Sequence, residues 1–238
     1  MRISNLYKVP ATLMVLALLG CGSGGIKQQA QDVEKLSLLD TTPFIPTQEF
    51  DEKTSTYLPY EAMPNPYLEL KGRIDKDAVT KFIQARRLFR SGSYQQADVM
   101  LSQVVALDNK LSGPWVMRGD IELKKDKLEP AIEHFKKAIE VNPKNVNAYI
   151  KLAKTQRLLG KFLEAQNTYT DALTVWRDFP EAHLNLGILY DIYLNHPLRA
   201  QKHMQAYQFL TGEKDKEVAA WISEIQKRTG LKTSLTKQ

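Results

Sequence analysis

The one cysteine of the chain, Cys21, and its four histidines, His134, His183, His196 and His203, are the side chains that could carry nucleophilic, redox or metal chemistry. A lone cysteine closes no disulfide within the chain, so it needs another use in an oxidising compartment. His196 and His203 are separated by the turn that Pro197 implies, and neither a second cysteine nor a carboxylate cluster completes a zinc-binding set with them. His134 lies beside Phe135 on the second helix of its repeat, and His183 takes a position where its neighbours in sequence pattern carry large residues, so a packed or partly exposed ring is expected there. No glycine-rich phosphate loop, nucleophile elbow or HExxH motif occurs. These residues predict neither catalysis nor a cofactor.

The surroundings of Cys21 supply its use. Arg2 and Lys8 precede an apolar run of 11 residues, Val9 to Leu19. That length suits the apolar region of a signal peptide and falls short of the ~20 residues that span a bilayer. The run ends in Leu18-Leu19-Gly20-Cys21, which resembles the bacterial lipobox. The resemblance implies a signal peptide over 1–20, cleavage after Gly20, and a lipoprotein carrying lipid on the Cys21 thiol and acyl (palmitate-type) modification of the new amino terminus. Several acyl chains together anchor firmly where one holds only marginally. Residue Gly22, in place of aspartate, favours by the same resemblance the periplasmic face of the outer membrane.

Residues 21–75 show no sustained period and are expected to form a lipidated, mostly disordered tether. A polar stretch from Lys27 to Lys35 could form a loose helix ending near Leu39. Prolines at 43, 46, 59, 64 and 66 then favour extended chain. Such a tether spans ~40 Å. The aromatic residues Phe44, Tyr57, Tyr60 and Tyr67 leave two readings open: a cap on the first repeat, or a partner-binding segment.

From residue 78 the pattern repeats every 34 positions. Small residues recur at Ala85, Gly119, Ala153 and Gly187, and alanines at Ala97, Ala131 and Ala165. Large residues recur at Leu101, Phe135 and Tyr169, followed by Val104, Ala138 and Ala172. Helices crossing at ~8–10 Å need residues without bulk at the contact, and large ones fill the space between hairpins. Trp115, Gly119, Ala131, Phe135, Ala138 and Pro143 make the second repeat similar to the tetratricopeptide (TPR) pattern. The resemblance implies an all-α, right-handed TPR solenoid over 78–230, with repeats at about 78–111, 112–145, 146–179 and 180–213. In the fourth, His196-Pro197 interrupts the pattern and the alanine arrives one place late, at Ala200. A helix over 215–228, with Trp221 on its apolar face, is expected to cap the stack, leaving 231–238 as a tail.

By this resemblance the chain binds other proteins in a groove lined by the first helix of each hairpin. The register selects Val79, Phe82, Arg86, Phe89 and Arg90, then Val116, Asp120, Leu123 and Lys124. Asn147, Ile150, Lys154 and Arg157 follow, with Leu184, Ile188 and Asp191 in the last repeat. The basic members predict an acidic, amphipathic partner segment. The lysine and asparagine set with which chaperone-binding TPR domains hold a terminal carboxylate is incomplete. Similar lipid-anchored TPR proteins of Gram-negative envelopes include pilotins of type IV pilus secretins. Segments Asn185–Tyr193 and Val218–Arg228 also resemble small TPR proteins of TonB–ExbB–ExbD systems. The expected function is a non-enzymatic scaffold for envelope proteins, with assembly of one such machine as the alternative. A net charge of +6, with no dense basic block, gives no footing for nucleic-acid binding.

Overall fold

The structure, a computed structural model, describes residues 36–69, 72–232 and 235. The signal peptide, the Cys21 anchor and the Lys27–Lys35 helix of the sequence reading lie outside the described residues, as do residues 70 and 71. Four helical hairpins follow one another: α1 (Lys76–Arg90) with α2 (Tyr94–Leu107), and α3 (Gly113–Lys124) with α4 (Leu128–Val141). Next come α5 (Val146–Leu158) with α6 (Phe162–Val175), and α7 (Pro180–Ile188) with α8 (Pro197–Thr211). A final helix, α9 (Lys216–Thr229), closes the stack.

Each boundary has a local cause. The Asp75 carboxylate accepts the backbone N–H of Asp77 and Ala78, and Asp215 does the same for Glu217 and Val218, so α1 and α9 start on N-caps. The turn between the helices of a hairpin needs a left-handed residue. Gly160 supplies it at φ +74°, and Asp126 takes it at φ +56°, where aspartate is among the few side chains that tolerate the conformation.

The repeated small residues lie where helices cross. Ala85, Ala97, Ala131, Ala153 and Ala165 are fully buried. A Cβ added to Gly119 would meet the Phe135 ring at 2.3 Å, so glycine is what admits the phenylalanine. In the fourth hairpin the equivalent contact is between Gly187 and Met204, one place late, as Ala200 is. Between them lies the reason: Leu189–Tyr193 forms a π-turn at the end of α7. A π-turn holds one residue more than the α-helix it interrupts. The sequence offset is thus absorbed in the backbone, and Ala200 and Met204 reach the core, both fully buried.

Helix α9 covers the last hairpin through Val218, Trp221, Ile222 and Ile225. The Trp221 indole donates to Asp191 at 2.8 Å, and Arg228 pairs with the same carboxylate.

From Leu36 the tether reading needs correction, because much of the Pro-rich segment docks on the helices. Gln166 of α6 reads the backbone of Leu39 in both directions: its Oε1 accepts the N–H at 3.0 Å and its Nε2 donates to the C=O at 3.1 Å. Thr41 and Ile45 are buried, and Leu38 and Phe44 pack on the core of hairpins three and four. A small antiparallel hairpin follows, β1 (Phe50–Asp51) with β2 (Thr56–Tyr57), its Phe50 and Tyr57 rings 5.1 Å apart. The chain then returns to the same hairpins. The Tyr60 hydroxyl donates to Asp178 Oδ1 at 2.6 Å and the Met63 N–H to Oδ2 at 2.7 Å, while the Trp176 indole donates to the Met63 carbonyl at 2.7 Å. The Tyr60 ring meets Phe209 edge to face. This strap therefore packs on repeats three and four, and the expected cap on the first repeat is not what Tyr60 forms. Proline kept the segment extended, but buried polar partners on the repeats hold it down.

Candidate functional site

The first helices of the first three hairpins line an open groove of about 490 Å³. Its floor and walls come from Phe82 and Arg86 on α1, Val116 and Asp120 on α3, and Asn147, Ile150 and Lys154 on α5. Those seven are residues that the repeat register selects. The structure adds Gly113, Met117, Asn145 and Lys151, and also Tyr67 from the end of the strap. Lys151 lies one turn after Asn147 and could have been found by the same helical spacing. Tyr67 lies outside the repeats and carries no periodic signal.

Electrostatics in the groove favour an anion. Asp120 is already paired with Lys151 at 2.7 Å. Arg86 and Lys154 form no ion pair among the described residues. Burial and the nearby cations Lys151 and Arg157 hold the Lys154 ammonium below its ordinary pKa, with Glu181 opposing them. An incoming carboxylate would relieve that repulsion. Asn145, beside them, donates to Ser112 Oγ at 3.0 Å and is thereby fixed.

The remaining selected residues lie elsewhere. Phe89 packs against Tyr94, ring centroids 5.6 Å apart, inside the first hairpin. Arg90 and Lys124 are exposed in the last turns of α1 and α3, beyond the groove, and Val79 is exposed on α1. Leu123 packs on the core around Phe135. Arg157 donates to the Tyr193 hydroxyl at 3.1 Å and lies over that ring. Leu184 and Ile188 lean on the core of the last two hairpins. Asp191, held by Trp221 and Arg228, fastens the cap.

The histidines form an interior hydrogen-bond chain that sequence reasoning missed. His183 Nε2 faces the Arg177 carbonyl at 3.1 Å, which can only accept, so that nitrogen carries the proton. His183 Nδ1 therefore accepts from His203 Nδ1–H at 2.9 Å. His203 Nε2 in turn accepts the Thr41 hydroxyl at 2.7 Å, and Thr41 accepts from Tyr190 at 3.2 Å. Both imidazoles are buried and held neutral: burial brings His183 down to about 4 and His203 well below its ordinary value. His134 is half-buried against Trp115, its ring 6.1 Å away, and burial lowers it too. Among the described residues no three histidine, cysteine or carboxylate side chains gather as a metal site.

A TPR-repeat family model matches residues 119–160, which run from α3 through α5. The fold is a tetratricopeptide-repeat solenoid. Human superkiller complex protein 3 is 30% identical over 98 residues, 41% of this chain. The chain spans only about 6% of the length of that curated relative. Among solved structures, PilF of Pseudomonas aeruginosa is similar with a TM-score of 0.57 at 15% identity, covering 66% of this chain and 70% of its own. A tetratricopeptide repeat protein from Parabacteroides merdae is similar at 0.56 and 19% identity, covering 66% of this chain and 61% of its own. Such identities show a shared fold. Solenoids of this kind generally serve as non-enzymatic scaffolds for protein–protein interaction.

Proposed function

We propose that the chain is an envelope scaffold, tethered by lipid on Cys21 to the periplasmic face of the outer membrane, whose first-helix groove holds an acidic, amphipathic segment of a partner protein. The observation that carries the groove assignment is the pair Arg86 and Lys154, on helices from different hairpins, both facing one open groove and neither in an ion pair among the described residues. Apolar side chains between them, Phe82, Val116 and Ile150, give a helical or extended segment something to bury. The anchor rests on the lipobox resemblance around Cys21.

A photo-crosslinking residue at Val116, introduced into the native envelope, tests the reading. The expected result is one defined protein crosslinked there, with the product lost on Arg86→Glu and retained when the crosslinker is moved to the exposed Val99 only as background. Equal capture from Val116 and Val99 would contradict a groove-specific partner.

A further inference from the structure

The channel filled by the strap has a counterpart one repeat earlier that is open. Between α4 and α6, Ile139, Tyr149, Leu152, Thr168, Asp171 and Val175 line a groove of about 420 Å³. One repeat further on, allowing for the extra residue of the π-turn, Tyr149 and Thr168 correspond to His183 and His203. Those two hold Thr41 of the strap. Lys136, at the rim of the open groove, corresponds in the same way to Thr170, which shares Gln166 with Leu39.

The two grooves differ in charge. In the filled one, Asp40 of the strap lies within electrostatic reach of Arg199 and Lys202. The corresponding residues of α6 are Glu164 and Asn167, an acid and a neutral amide. The open groove also holds Asp171, a carboxylate without a hydrogen bond or ion pair among the described residues, and the Tyr149 hydroxyl is in the same condition. Surrounding side chains desolvate Asp171 enough to raise its pKa. Lys136 does not neutralise it, being paired with Glu133 at 3.0 Å.

We infer that the α4–α6 groove is a second binding surface, on the side opposite in charge preference to the first. It takes an extended segment of a partner protein, bound as the strap is bound, with a lysine or arginine set against Glu164, the counterpart of Arg199, where the strap carries Asp40, and with Asp171 adding to the negative field. The apolar wall of Ile139, Leu152 and Val175 takes the neighbouring side chains.

The probes are two synthetic peptides copying residues 36–47 of this chain, one native and one with Asp40→Lys, each titrated into the full chain and followed by NMR. The lysine peptide is expected to shift Ile139, Leu152 and Val175 and to bind about ten-fold tighter than the native peptide. Glu164→Lys, in the first turn of α6, should abolish that preference, while Arg86→Glu in the first groove should leave it unchanged. Equal binding of the two peptides, insensitivity to Glu164→Lys, or shifts confined to the first groove would overturn the inference and leave the first groove's assignment standing.

Discussion

The Nδ1 atoms of His183 and His203 stand 2.9 Å apart in the closed interior of the fourth hairpin, and only one proton fits between them. That bond begins a chain that ends on Thr41, more than a hundred residues away in sequence, so the same pair that fills the hairpin also fastens the strap.

Acid should therefore weaken the fold through these two rings. In the unfolded chain both titrate near 6.5, whereas burial depresses them in the folded one, His183 to about 4. Between those values the unfolded chain binds more protons, so stability rises with pH: it is fully present above about 6.5 and is lost as pH falls towards the folded value. The slope is up to ~1.4 kcal/mol per pH unit for each ring. Arg177, Arg199 and Lys202 nearby oppose protonation further, and Asp178 favours it. Urea midpoints at pH 7 and pH 5 should fall steeply for the native chain and less steeply for the His183→Leu, His203→Leu double variant. Equal pH slopes would show that the pair is not the titrating element.

Glycine positions separate rigid from forgiving contacts. Gly119→Ala drives a methyl into the Phe135 ring at 2.3 Å and should cost about 1–3 kcal/mol, in spite of alanine's better helix propensity. Gly187→Ala meets the Met204 Cγ at 2.6 Å and the Ala200 carbonyl at 3.4 Å, so a χ1 change of a buried side chain is needed, but an unbranched methionine re-packs more readily than a ring and the cost should be smaller. Denaturant unfolding of the two variants checks the order. A larger loss at Gly187 would contradict it.

Asp178→Ala should release the strap. The carboxylate is buried and accepts both the Tyr60 hydroxyl and the Met63 N–H, so its removal leaves two donors unmatched and should cost about 1.5–3 kcal/mol. Hydrogen exchange should accelerate around Tyr60–Met63 while α3 and α4 keep their protection. An unchanged exchange rate at Met63 would mean that other contacts hold the segment.

Cys21→Ser should leave the chain unprocessed or soluble in the periplasm. Membrane fractionation with mass measurement of the amino terminus reads this out, and a serine variant that fractionates with the outer membrane as the native chain does would end the lipid-anchor reading.

The repeats were legible because close packing leaves few choices at a helix crossing. The 34-residue step of Ala85, Gly119, Ala153 and Gly187 is legible in the sequence, but the pattern puts the large residues between hairpins, whereas Phe135 packs onto Gly119 within its own hairpin. The late arrival of Ala200 marked the inserted residue but not its location, since a π-turn at Leu189–Tyr193 has no distinctive composition. Seven groove residues followed from the register. Arg157 did not, because the aromatic Tyr193, carried by the π-turn, holds its guanidinium. The strap and the histidine chain were hidden for a different reason: Thr41, Leu39 and Tyr60 find partners that only the folded repeats assemble, and no local period marks them.

The groove assignment is tested most directly by calorimetric titration of the full chain with an acidic amphipathic peptide and with its lysine-substituted counterpart, at low and high salt. Preferred binding of the acidic peptide is expected, with affinity reduced at least about ten-fold by the Arg86→Glu, Lys154→Glu variant and with a flatter salt dependence. Binding that does not distinguish the peptides, or that survives the double charge reversal unchanged, would contradict the groove as the partner site.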